Sequence, residues 1–278
     1  RPPEHYGWIV EVNPDHPEES KKLISLGRFA HEGATVVQGK DGRVIVYMGD
    51  DSRDEHFYKF VSSKAGSLDE GTLYAADLAN GQWLPLTLKN PKLAGRFKDH
   101  TELMVRVREA AKILGATPID RPEDCEVDPV TSAIYVACTN NTGRPHGHIL
   151  KIEEQGGDFL SEKFASSVFL KGGDVKGLSC PDNMAFDRKG NLWVVTDMPI
   201  EDDKESYKDF GNNSLFYIPM SGPLLGVVHR MLVAPMDAEL TGPWFAPDGE
   251  TLFLSVQHPG ETSNSANPKD LTSHWPDG

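Results

Sequence analysis

The sequence predicts an all-β chain of the β-propeller class carrying one helical insertion, on three observations. Four segments share one hairpin grammar, their turns carry Asp, Gly or a similar breaker, and further strand-like runs fill the intervals between them.

The four segments are "EGATVVQGKDGRVIVYMGDD" (32–51), "EDCEVDPVTSAIYVACTNN" (123–141), "DNMAFDRKGNLWVVTD" (182–197) and "TGPWFAPDGETLFLSVQH" (241–258). Each begins on a polar residue, reaches an apolar one four positions later (Val36, Val127, Phe186, Phe245), turns on a breaker and rises into a second apolar run. That is a β-hairpin. The turns "KDGR", "RKGN" and "PDGE" supply the glycine that a positive φ demands. Between them "GWIVEV", "FYKFVS", "GTLYAADL", "HILKIEE", "SLFYIPM" and "HRMLVAP" read as further strands. The predicted helix is "DHTELMVRVREAAKILGAT", around 99–117, where Leu103, Val105, Val107, Ala111 and Leu114 mix with charges and Gly115 stops the run. A single propeller domain over 1–278, or a fragment of one, is expected.

The bulk numbers exclude several classes. Lys and Arg total 28 against 42 Asp and Glu, a formal charge of −14, so nucleic-acid binding is not expected and cations are favoured partners. No stretch approaches the roughly 18 apolar residues of a membrane helix. Cys125, Cys138 and Cys180 form no CxxC spacing, and Cys125 and Cys138 in strand-like runs read as small buried hydrophobes. GxSxG, P-loop, Rossmann and HExxH motifs are absent.

In a propeller the innermost strand of each blade lines the central channel, so equivalent repeat positions reach one rim. Those positions are Glu32, Glu123, Asp182 and Thr241. Converging carboxylates repel unless protonated or neutralised, and a hard cation neutralises them at neutral pH. Asp50, Asp51, Asn140, Asn141 and Asp197, at the far hairpin ends, add oxygen donors, although Asp and Asn also cap turns there. Asp51 is the preferred ligand of the acidic "GDDSRDE" stretch, with Asp50 a possible metal or rim residue. Arg121, two residues before Glu123, suits a phosphate or carboxylate oxygen pair; a structural ion pair with Glu123 or Asp120 is the alternative. His31 would face away from Glu32 and pack, and His258 with Glu261 stands in a turn.

The stretches "HYGWIVEVNP", "HEGATV", "VIVYMGDDSRDEHFYKFVS", "RPEDCEVDP", "CPDNMAFDRKGNLWVVTD", "ELTGPWFAPDGETLFLSVQHPGE" and "SHWPDG" resemble the PhoX-type alkaline phosphatases over nearly the whole chain. The resemblance implies a propeller with Ca²⁺ and Fe³⁺ on its axis, hydrolysing phosphate monoesters in the periplasm or outside the cell. By motif position, Glu32 and Glu123 resemble the family's metal-binding glutamates, Asp51 its calcium-side aspartate and Arg121 its phosphate-contacting arginine. Asp182 and Glu239 also lie in family motifs. The family takes further ligands, including a cysteine to iron, from an N-terminal region, and none of Cys125, Cys138 and Cys180 stands in that motif. The chain is therefore expected to be the C-terminal part of a longer enzyme, a partial propeller lacking N-terminal blades, monomeric and weakly active or inactive alone. "PDNMAFDRKGNLWVVTD" is also close to the blade signature of calcium-dependent gluconolactonases, which keeps a lactonase reading open. A non-catalytic propeller scaffold is the third reading.

Overall fold

The computed structural model describes every residue except 1, 142, 174–176, 200–203, 265, 268 and 278. The last position of the quoted "SHWPDG" therefore lies outside the described residues. Two compact units divide the chain, Arg1–Cys125 with Ile152–Ser166, and Glu126–Lys151 with Ser167–Gly278. Among the described residues, no helix is long and apolar enough to cross a membrane.

The first unit opens with the hairpin β1 (Val10–Asn13) and β2 (His16–Lys22), exposed along its whole length. Its main sheet is antiparallel, in the order β3 (His31–Gln38), β4 (Arg43–Asp50), β6 (Phe57–Ala65), β7 (Gly71–Asp77) and β8 (Gln82–Pro85), while β5 (Arg53–Glu55) leaves the sheet after β4. The Asp-Gly turn sets the first register: Asp41 Oδ1 accepts from Arg43 N (3.1 Å), so Val36 pairs with Val46 and Thr35 with Tyr47. Alternation places Val46, Met48, Tyr58, Phe60 and Leu73 in one buried core.

Leu103, Met104, Val107, Ala110 and Ala111 from the helical insertion join that core. The expected single helix is two: α1 (His100–Val105) and α2 (Val107–Leu114), broken at Arg106, whose φ and ψ are −108° and 35°. The helical period alone did not reveal the break. Asp99 caps α1 by accepting from Glu102 N (2.9 Å), and Gly115, at φ 85°, closes α2. The chain then runs through β9 (Ile119–Asp120), paired with β5, into β10 (Pro122–Val127).

A buried ion pair anchors the middle of the sheet. Lys59 Nζ lies 2.7 Å from Glu154 Oε1, with both side chains 1% exposed. Tyr47 Oη–H (2.6 Å) and Trp83 Nε1–H (3.1 Å) also donate to Glu154, and Lys59 donates to Ser161 O (2.8 Å). Burial opposes both charges, raising the Glu154 carboxyl and lowering the Lys59 ammonium; their attraction and these donors offset it.

In the second unit β11 (Ile134–Cys138) follows, while β12 (His148–Glu154) and β13 (Phe164–Lys171) each divide between the units; these strands are hydrogen-bonded in the order β10-β11-β12-β13. A sheet of β14 (Pro181–Phe186), β15 (Leu192–Thr196), β16 (Ser214–Ile218) and β17 (His229–Val233) follows, then the hairpin β18 (Glu239–Phe245) and β19 (Leu252–Gln257). All four hairpins read from the sequence are present. An aspartate seeds each turn here: Asp128 accepts from Val130 N, Asp187 from Lys189 N and Asn191 N, and Asp248 from Glu250 N and Thr251 N. Tyr135, Ile149, Met184, Val194 and Phe216 form the main core of this unit. Cys125, Cys138 and Cys180 are buried.

Replacing Lys59 by Met leaves Glu154 buried beside no cation. A loss of about 3–5 kcal/mol is expected in urea unfolding, and adding Glu154→Gln, which keeps an acceptor for Tyr47 and Trp83, recovers part of it. Unchanged stability in Lys59→Met would refute the anchoring role.

Candidate active site

Arg121 stands at the joint between β9 and β10. Its φ is +49°, uncommon for a residue with a side chain, and Pro122 follows it, which ordinarily favours extended backbone. A conformation of this kind costs on the order of 1–3 kcal/mol and persists where its surroundings fix it.

Those surroundings are two glycines and two neighbouring strands. A Cβ on Gly49 would lie 1.9 Å from Pro122 O, and one on Gly33 would lie 2.1 Å from Asp124 Oδ1 and 2.7 Å from its Cα. The 122–125 backbone thus presses on β3 and β4 at the only residue type that permits it. Thr35 Oγ1–H donates to Cys125 O, and Cys125 Sγ–H donates to Tyr47 O at 3.3 Å. The β5–β9 pairing, Arg53 against Asp120, brings the loop after β4 beside this joint.

The result is a guanidinium between two carboxylates. Arg121 Nε lies 2.9 Å from Asp51 Oδ1 and Nη2 3.2 Å from Oδ2, a bidentate grip, and Nη2 also meets Glu123 Oε1. Glu123 is nearly buried, at 4% side-chain exposure, while Arg121 and Asp51 keep 24% and 23%. With both carboxylates ionised, this trio carries one net negative charge.

Asp50, adjacent in sequence, is engaged differently. It is fully buried and gripped by Arg108 of α2 through Nε–Oδ2 (2.8 Å) and Nη2–Oδ1 (2.5 Å), and Oδ1 also accepts from Ala30 N (3.1 Å). Burial pushes its carboxyl up while Arg108 holds it down. One turn along α2, Lys112 Nζ reaches Glu55 Oε1 at 2.5 Å. The insertion thus pins both ends of the loop that carries Asp51, and Asp51 N itself donates to Ala30 O (2.9 Å). The sequence reading missed this clamp; its visible signal was Arg108 and Lys112 four apart on the polar face of α2.

Glu32 is exposed on β3, where the ladder register shifts between His31 and Ala34. The same irregularity recurs in the second unit, between Pro181 and Met184 around Asp182, and between Thr241 and Trp244. Bulges re-aim side chains, and these three ladders depart from plain alternation next to the polar residue that opens the repeat. Asp182 is buried, with Asn183 Nδ2–H donating to its Oδ1 (2.8 Å). It follows Cys180, which has φ +51° and precedes Pro181, as Arg121 precedes Pro122 and Glu123. Glu239 is half-buried and accepts from His258 Nε2–H at 2.7 Å. Burial, then the charge of Asp197, raises the Glu239 carboxyl, and Glu239 raises the His258 imidazole against its own burial. His31 packs as expected, stacked on Phe29 with ring centroids 3.6 Å apart.

Among the described residues, no group of three or more His, Cys, Asp and Glu side chains is gathered as a metal cage. The structure brings Asp51, Arg121 and Glu123 together in one unit; Glu32 is exposed on the edge strand of that unit, and Asp182 and Glu239 belong to the other.

A family model described as alkaline phosphatase PhoX matches residues 1–260. The chain belongs to this family. A solved structure of Pseudomonas fluorescens PhoX in complex with vanadate, a transition state analogue, is 33% identical, with a TM-score of 0.85 over 99% of this chain. The chain spans 56% of that relative's length. The β-propeller class read from the hairpin repeats stands with this likeness. A structural-genomics target described as a gluconolactonase (12% identity, 92% of this chain and 82% of that one, TM-score 0.37) carries no weight. Nor does a PQQ-bound aldose sugar dehydrogenase from Streptomyces coelicolor (14% identity, 94% of this chain and 66% of that one, TM-score 0.40). A search of curated proteins found no match.

If close approach sets the Arg121 joint, Gly49→Ala must displace it. The substitution is expected to cost about 1–3 kcal/mol in thermal or urea unfolding, with Gly33→Ala behaving alike. Wild-type stability in both variants would contradict the packing described.

Proposed function

We propose that this chain carries much of the site of a metal-dependent alkaline phosphatase that hydrolyses phosphate monoesters. The observation behind this reading is the Arg121 guanidinium, held by a strained joint between Asp51 and Glu123. The family membership and the likeness to a vanadate-bound relative support it.

Arg121 supplies a planar fork that matches two phosphoryl oxygens as well as it matches Asp51. An incoming phosphate ester exchanges with Asp51 for that fork, which frees carboxylate oxygens for cations. The grip strengthens as charge grows on the equatorial oxygens, which is where it contributes to rate.

Glu32, Asp51, Glu123 and Asp182 are the proposed cation ligands, with Glu239 and Asp50 as further candidates. Their chemistry fits: every donor is a carboxylate oxygen, the type that hard cations such as Ca²⁺ and Fe³⁺ take. Of these six, Asp50 is the least available, because it is fully buried with Arg108 on both its oxygens. Further donors would complete any cage. When bound, such ions would neutralise the carboxylates that hold them and supply Lewis acidity to phosphoryl oxygens. The reading includes export to the periplasm or beyond and action as a monomer.

In the full-length enzyme, Arg121→Ala is expected to lower kcat/KM on an aryl phosphate by about 10²–10³-fold. Arg121→Lys, which keeps the charge and loses the fork, restores only a small part. Wild-type kcat/KM in Arg121→Ala would overturn the assignment.

A further inference from the structure

The second unit holds a cavity of about 320 Å³ that the reading above does not use. Among the described residues, Arg144, His146, His148 and Lys171 line it, Val168 forms an apolar wall, and no carboxylate does. In a chain with 42 acidic residues against 28 basic ones, such a lining departs from the general surface.

Backbone packing builds the cavity. Gly172 N–H donates to Gly147 O at 3.0 Å, and a Cβ on Gly172 would lie 1.7 Å from His146 O. One on Gly147 would lie 2.1 Å from both Cys138 O and Thr139 O. The 144–148 segment and the end of β13 are thereby pressed together, with Arg144 contributed by the first and Lys171 by the second. His146 is oriented by Ser179 Oγ at 3.0 Å from its Nδ1 and by the rings of Tyr207 and Phe210, whose centroids lie 5.4 and 4.8 Å away. His148 is 3% exposed.

We propose that this cavity is an anion site that takes a phosphate-type dianion, with Arg144 and Lys171 supplying charge and the two imidazoles supplying directed polar contacts. Two cations from two chain segments suit a tetrahedral oxyanion with charge on several oxygens. The low-dielectric positive surroundings also show in His148, whose imidazole is pushed down to about 4 by burial and then by the Arg144 charge. A bound dianion favours the imidazolium and reverses that shift. The site stands apart from the catalytic reading, since none of its residues is proposed to touch the reacting phosphoryl group.

The test uses the full-length protein with ¹³C-labelled histidine. NMR titration with inorganic phosphate is expected to move the His148 ring resonances saturably and to raise its pKa from about 4. The double variant Arg144→Gln/Lys171→Gln should weaken the affinity read at His148 by about tenfold, equivalent to about 1.4 kcal/mol. Its kcat/KM on an aryl phosphate should stay at the wild-type value, so failure here is distinct from failure of the Arg121 assignment. Phenylphosphonate, which cannot be hydrolysed, separates two sources of the dianion. A response to phosphate alone marks a product site; a response to both marks a site that also accepts an ester's phosphoryl group. Histidine signals unmoved by millimolar phosphate, equal affinity in the double variant, or an equal response to succinate would each overturn the proposal.

Discussion

Everything proposed for the site depends on the positive φ at Arg121. That backbone angle turns the chain out of β9 and sends β10 across β3 and β4, where Gly49 and Gly33 leave room for Pro122 and Asp124. The guanidinium is thereby delivered onto Asp51 while Glu123 stays nearly buried beneath it. A conformation that costs free energy in isolation is sustained by packing, and a charged group is its product. On the other flank, α2 pins the loop after β4 through Arg108 on Asp50 and Lys112 on Glu55, so both halves of the Arg121–Asp51 contact rest on fixed supports.

The second unit repeats part of this design with different side chains. Cys180 has the same sign of φ, precedes a proline and is followed two residues later by buried Asp182. Its thiol donates to Pro145 O at 3.3 Å and is raised by burial, so it behaves as a packed group where the first unit places a cation. One turn geometry therefore serves as a scaffold in both units, and the chemistry comes from which residue occupies it.

Much of the fold was legible because alternation and turn chemistry agree. Val36 against Val46, Met184 against Val194 and Leu240 against Val256 are the pairings that the four hairpin patterns imply. The missed strands lack an apolar rhythm: β2, "HPEESKK", is exposed throughout, and β13 is exposed over most of its length. The site was legible in its members and not in its assembly. "RPED" announces Arg121 and Glu123, yet the bidentate contact with Asp51 comes from a residue 70 positions away. Nor does spacing show that Asp50 and Asp51, adjacent and identical, go to different arginines; Asp50 ends β4 buried, whereas Asp51 lies in the loop that follows and keeps part of its side chain exposed. The ion-pair alternative weighed for Arg121 named Glu123 or Asp120; Glu123 is one of its resting partners, Asp51 is another, and the phosphate role is proposed as an exchange of Asp51.

A crystal structure of the full-length protein soaked with vanadate tests this exchange most directly. The account predicts that Arg121 leaves Asp51 for two vanadate oxygens while keeping its contact with Glu123. Vanadate bound in the protein with the Arg121–Asp51 fork intact and out of reach of the anion would contradict it.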